Sequence, residues 1–232
     1  MDLSQPFGTR SAWRLTATQG AAISDPPAGI EDKAPGLIRL CVSADEGQSC
    51  KPQLDSLLVP SGGADDFSDV HYLDNARIVR SRGDEALLLV RVSSLHGANG
   101  DQRTLPSCLL TTGMQDSFTQ VYAKRTGRNN NQEIRYMASG PLQGAIISAE
   151  PTGDAPFAFW ITINMREPGR QYEQVLRFRS ATTYGDGNPL AVIDSEMPNI
   201  QKRLGLWQTG LPLPLPEGDC ARPRLLHMAL WC

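Results

Sequence analysis

From Phe157 to Met165 every second residue has a large apolar side chain: Phe157, Phe159, Ile161, Ile163 and Met165 alternate with Ala158, Trp160, Thr162 and Asn164. A period of two is the side-chain period of extended chain, so this stretch buries one face of a β-strand. Glu167-Pro168-Gly169-Arg170 follows as a turn signal. Gln171 to Arg179 then alternates again, with Tyr172, Leu176 and Phe178 on one side, and the two runs together predict a β-hairpin. Leu87 to Ser93 is apolar almost throughout, as expected of a strand covered on both faces. Ser117 to Lys124 and Gln132 to Met137 flank the polar stretch R-T-G-R-N-N-N and predict a second hairpin. Trp13 to Thr18 and Leu37 to Ser43 complete the strands. Between them, A-A-I-S-D-P-P-A-G-I-E-D-K-A-P-G carries the prolines and glycines of a surface loop.

Two short helices are expected. Lys51 to Val59 has Pro52 in its first turn and Leu54, Leu57 and Leu58 on one side, and Ser-Gly-Gly ends it. Pro198 to Leu206 places Ile200, Leu204 and Trp207 at helical spacing, a stripe that caps a sheet. The prolines of L-P-L-P-L-P push their neighbours out of helical space, so residues 208–219 form an extended strap that leads into a loop over 220–232. A chain of 232 residues with this pattern is expected to fold as a single all-β domain over 1–232, an antiparallel β-sandwich-like domain with one or two short helices. Phe118-Thr-Gln-Val-Tyr-Ala-Lys-Arg-Thr also matches Tyr172-Glu-Gln-Val-Leu-Arg-Phe-Arg-Ser at an offset of 54 residues (118 to 172). A repeated unit would suit the alternative architecture, a small β-propeller.

Four of the five cysteines fall into two local couples, Cys41 with Cys50 and Cys220 with Cys232, around turn-rich segments and without redox or zinc spacing. Disulfides closing loops of about ten residues contribute roughly 2.5 to 3 kcal/mol each in the chain-entropy model. Cys108, between Pro106 and a Leu-Leu-Thr-Thr run, is the thiol left over. Such staples predict export to the periplasm or beyond the cell. The opening M-D-L-S-Q-P-F has no basic segment, apolar stretch and small-residue cleavage site. The signal peptide is therefore expected upstream of these residues, with Met1 an added initiator on a mature start. No apolar run reaches the roughly 20 residues of a membrane span, and a net charge of −3 argues against a nucleic-acid partner. Of the 22 basic residues only Lys33, Lys51, Lys124 and Lys202 are lysine, a bias expected of a GC-rich, Gram-negative bacterial genome.

Asp194 and Glu196 in V-I-D-S-E-M are two apart, so on an extended segment both carboxylates leave the same face, as a paired acid and base would. Tyr184-Gly-Asp-Gly-Asn-Pro reads as a tight turn, since a calcium loop needs further alternating acidic residues. His71, His96 and His227 are far apart, and no G-x-S-x-G, Walker or G-x-G-x-x-G sequence is present, so neither a metal nor a cofactor is expected. The segment S-A-D-E-G-Q-S-C, residues 43 to 50, resembles the Asp-box hairpin of sialidases and other propellers, S-x-D-x-G-x-[ST]-W, with cysteine where that motif has tryptophan. The resemblance covers eight residues and implies a fold-stabilising β-turn, not sialidase activity.

Two polar loops remain. Arg125, Arg128, Asn129, Asn130 and Asn131 in one, and Tyr184, Asp186 and Asn188 in the other, combine side chains that hydrogen-bond adaptably and form the expected recognition edge. The leading expectation is an exported periplasmic binding protein that recognises another protein of the cell envelope, as an inhibitor, immunity-type protein or accessory factor. The rival from a different class is a hydrolase of envelope polysaccharide with Asp194 and Glu196 as its carboxylates. A third reading is a carbohydrate-binding module, which should expose Trp13, Trp160 or Trp207 as a platform.

Overall fold

The structure, a computed structural model, describes residues 1–24, 33–54, 69–95, 105–112, 117–126, 132–153, 157–217 and 219–232. Its strands are β1 (Arg14–Gln19), β2 (Ile23–Ser24), β3 (Lys33–Ala34), β4 (Ile38–Ser43), β5 (Tyr72–Arg80), β6 (Ala86–Ser93) and β7 (Leu105–Thr112). They continue with β8 (Phe118–Thr126), β9 (Glu133–Tyr136), β10 (Ile146–Pro151), β11 (Ala158–Met165), β12 (Glu173–Thr183), β13 (Arg224–Leu226) and β14 (Ala229–Trp231). Two helices are described, α1 (Ser4–Phe7) and α2 (Val192–Arg203). Among the described residues every strand pair is antiparallel, and the fold is all-β with short helices, as the alternation predicts. The expected helix over 51–59 lies mostly outside the described residues.

The chain divides into two compact units, Met1–Asn130 with Pro168–Gln171, and Asn131–Glu167 with Tyr172–Cys232. In the first, the sheet β5-β6-β7-β8 and the pair β1-β4 share a core that includes Trp13, Leu40, Val42, Leu88, Val90 and Cys108. Desolvation by this apolar packing pushes the Cys108 thiol up to about 12. The native oxidised protein is therefore expected to leave a thiol reagent unreacted at pH 8, and unfolding it without reductant should release one thiol per chain. Release of three or five would contradict the pairing.

Cys41 and Cys50 are joined, nine residues apart in sequence. The turn between them is held by its own side chains. Gly47 N donates to Ser43 Oγ at 2.8 Å, and Ser49 N donates to Asp45 Oδ1 at 3.0 Å. The Ser49 hydroxyl and then its backbone N–H stabilise the Asp45 carboxylate and lower its pKa. This is the turn the Asp-box resemblance implies, and the bond from Cys50 anchors it where that motif places tryptophan.

In the second unit the sheet β12-β11-β10-β9 packs on α2 through Ile147, Ile161, Ile163, Phe178, Ile193 and Met197. The hairpin of β11 and β12 is the one read from sequence, with Gly169 at φ 76° after Pro168 in its turn. The second expected hairpin does not form. β8 pairs with β7, whereas β9 pairs with β10 in the other sheet. Alternation identifies strands and a polar stretch marks a connection, but neither names the partner.

Both four-stranded sheets are meanders in chain order, and their registers coincide. Ile78 faces Leu88, which faces Leu110. In the second sheet Tyr136 faces Ile146, which faces Asn164. The first two strands correspond at an offset of 58 residues (78 to 136, 88 to 146), and the last two at 54 (110 to 164). Leu109 pairs with Tyr122 and Leu110 with Gln120, which leaves Val121 as a bulge. Ile163 pairs with Leu176 and Asn164 with Gln174, which leaves Val175. The bulge thus sits at the same place in both fourth strands, and those strands are the segments that match in sequence. Each is an edge strand that also carries cations, Lys124 and Arg125 in one and Arg177 and Arg179 in the other. A bulge and a charged edge both discourage pairing with a foreign strand.

Candidate functional site

Helix α2 begins six residues before the expected Pro198, and this changes the geometry of the two carboxylates. Ile193, Met197 and Ile200 are spaced at one face and buried in the core of the second unit, so the helix extends back to include them. Pro198 is then inside the helix, and Gly205 at φ 70° ends it, with Leu206 N donating to Gln201 O at 2.8 Å. On a helix, residues two apart point about 200° from each other. Asp194 and Glu196 accordingly face different strands.

Asp194 meets Arg135 of β9 in a two-pronged ion pair, Nη1 to Oδ1 at 2.6 Å and Nη2 to Oδ2 at 3.1 Å. Arg135 also holds Glu133, and Glu217 Oε2 lies 3.7 Å away. Glu133 in turn accepts from Ile193 N at 3.0 Å and satisfies a free donor at the start of α2. Burial of the guanidinium opposes its charge, yet the hydrogen bond to Asp194 and the charge of Glu133 outweigh that and hold its pKa above the usual value. Sequence reading missed Glu133 and Arg135 because polar residues alternating with Ile134 and Tyr136 look like a solvent face. The signal available was their i, i+2 spacing opposite a carboxylate-bearing helix.

Glu196 is completely buried. Its Oε1 accepts from Thr182 N at 2.8 Å and Thr182 Oγ1 at 2.5 Å, and its Oε2 accepts from Asn199 Nδ2 at 2.9 Å. Asn199 Oδ1 accepts from Arg203 Nε at 3.0 Å, and that guanidinium lies over the Phe178 ring. A parallel set of contacts joins α2 to β14. Asn188 Nδ2 donates to Ser195 Oγ at 2.9 Å and to Leu230 O at 2.8 Å, and the Ser195 hydroxyl donates to the same carbonyl at 3.1 Å.

The turn after β12 therefore has a fixed base. Asp186 accepts from Thr183 N at 3.2 Å and Asn188 N at 2.9 Å, and Gly185 and Gly187 supply the positive φ that the turn needs. Of the expected recognition residues here, Asp186 and Asn188 shape the turn and only Tyr184 presents its side chain, at 64% exposure. Tyr184 N bonds to Phe157 O at 2.8 Å, so a second exposed aromatic side chain, Phe157 at 51%, neighbours it. Arg125 is half-buried on β8 in the first unit. Arg128, Asn129, Asn130 and Asn131 lie outside the described residues, as does His96.

Of the three tryptophans considered as a platform, Trp13 and Trp207 are buried, and Trp207 Nε1 donates to Pro212 O at 2.9 Å, which fastens the start of the proline-rich strap. Trp160 is 38% exposed, with the Arg177 guanidinium 4.8 Å above its ring. Cys220 and Cys232 are joined across the β13–β14 hairpin, and Cys108 is the free cysteine. Among the described residues no group of three His, Cys, Asp or Glu side chains could hold a metal ion, and no helix is long and apolar enough to cross a membrane. Compared with models of known families, with curated proteins and with solved structures, the chain matches none.

Proposed function

We propose that the chain is an exported protein of a bacterial envelope that acts by binding another protein, as an inhibitor, an immunity-type protein or an accessory factor. The observation that carries this reading is the pair of exposed aromatic side chains of Tyr184, on a turn whose polar groups are already spent on its own shape, and Phe157, which precedes β11 and accepts the Tyr184 N–H. An anchor of this kind gives up little conformational freedom on binding, and aromatic anchors dominate the energetics of protein interfaces. Two disulfides favour an oxidising compartment, the periplasm or the outside of the cell. The internal contacts of Asp194 and Glu196 count against the rival hydrolase, because both carboxylates serve the packing of α2. Arg177 over Trp160 counts against a sugar platform, because it occupies a ring face that a sugar would stack on.

The test is a capture from envelope extract with the oxidised protein, followed by titration of the purified captured protein. The double variant Tyr184→Ala/Phe157→Ala is expected to bind it at least about tenfold more weakly, with its thermal midpoint unchanged to within about 2 °C. Equal affinity of variant and wild type would refute the assignment.

A further inference from the structure

We infer that the hairpin of β13 and β14 is a second recognition element whose tip, Leu226-His227-Met228, enters an apolar pocket rimmed by carboxylates on the protein partner. This rests on the reading of the chain as a protein-binding molecule. Leu226 pairs with Ala229, so His227 and Met228 make up the whole of a two-residue loop. Both have positive φ, 49° and 73°, the backbone of a type I′ turn. Asn-Gly or Asp-Gly suits that turn, because Asn and Asp bond locally to the backbone in left-handed geometry and glycine has no Cβ to crowd it. Histidine enters left-handed backbone more readily than most residues, but a methionine at φ 73° is uncommon there. Strain of this kind is maintained where the side chains serve something other than the turn.

The surroundings of the tip indicate what it serves. His227 is exposed, Leu226 is 39% exposed and Met228 is half-buried. The foot of the hairpin is rigid: Leu230 is completely buried, its carbonyl accepts from both Asn188 and Ser195, and the Cys220–Cys232 bond closes the base. Arg224 opens β13 two residues before Leu226, Arg222 precedes it, and both are exposed with no ion-pair partner among the described residues. Lys202 Nζ lies 3.8 Å from Met228 Sδ. No acidic residue occurs from Arg222 to Cys232. An exposed leucine flanked by cations, Arg224 along the strand and Lys202 beside Met228, calls for a complement that is apolar at its floor and acidic at its rim. An anionic lipid surface offers the same charges, but a fluid surface gains nothing from a fixed, strained turn. The backbone therefore favours a shaped protein pocket.

The test uses the full oxidised chain with p-benzoylphenylalanine in place of Phe157 in one preparation and of Arg222 in another. Each is illuminated in envelope extract, and the protein joined to it is identified by mass spectrometry, produced separately and titrated against wild type and against His227→Asn/Met228→Gly. That variant installs the favoured turn sequence. Its thermal midpoint is expected to rise by about 2–4 °C, while affinity for the captured protein falls at least tenfold. Unchanged affinity or a lowered midpoint overturns the inference. Capture from position 157 but not 222 overturns it and leaves the broader reading in place, and capture from neither overturns both. Binding of wild type to phosphatidylglycerol vesicles, lost in the variant and with no protein captured from 222, would assign the tip to a lipid surface instead.

Discussion

Arg135→Ala is expected to destabilise the second unit by about 2–4 kcal/mol, between the cost of breaking a surface pair and a fully buried one, because it leaves the partly buried Glu133 and Asp194 carboxylates without a cation. Against a typical total stability of about 5–15 kcal/mol this is a large share, and the loss should appear as a lowered urea midpoint by far-UV circular dichroism. Part of the effect comes through Glu133, which must hold both the guanidinium and the first N–H of α2. Neutralising the whole cluster, with Arg135→Met, Glu133→Gln and Asp194→Asn together, should recover most of the stability, since the penalty lies in the stranded charges. A loss below about 1 kcal/mol for Arg135→Ala would mean that the ion pairs are screened by water and contribute as surface pairs do.

Glu196→Ala is expected to cost about 2–6 kcal/mol, since it strands the Thr182 N–H and the Asn199 amide in a site closed to solvent. Glu196→Gln should cost less, about 1–3 kcal/mol. Its carbonyl oxygen can still accept from Thr182, but its amino group would face the Asn199 Nδ2 donor, while Asn199 Oδ1 is occupied by Arg203. Equilibrium unfolding checks both values. The pair of substitutions also separates two roles for this carboxylate. A structural group loses stability in proportion to its lost hydrogen bonds, whereas a reacting group would lose turnover at full stability in the isosteric variant. Retention of wild-type stability by Glu196→Ala would overturn the structural account.

The parts of the fold legible in the sequence are those fixed by neighbours along the chain. Phe159, Ile161 and Ile163 point to one core because strand geometry alone puts them there, and Pro168-Gly169 closes the hairpin with its own backbone preferences. The two cysteine couples were legible for the same reason, since short loops bring their ends together. The connection from β8 to β9 was misread because consecutive strands usually pair, and here they belong to different sheets. The start of α2 was misread because Pro198 marks a first turn when taken alone, while Ile193 and Met197 require a core to justify the earlier start. With that start went the shared face of Asp194 and Glu196. The Tyr184 turn was legible from its glycines and asparagine, but which of its side chains faces outward depends on bonds to Ser195 and Leu230 that lie far along the chain. The His227-Met228 turn offered little signal, because methionine is not a residue that such turns favour.

The unpaired valine in each outer strand also limits how these sheets can go wrong. Sliding Phe118–Thr126 or Glu173–Thr183 by one position would reverse which side chains meet the interior, and it would also have to carry Val121 or Val175 past a partner that has no gap to receive it. Each hairpin is therefore keyed to a single alignment by a misfit, independently of how well the remaining side chains interlock.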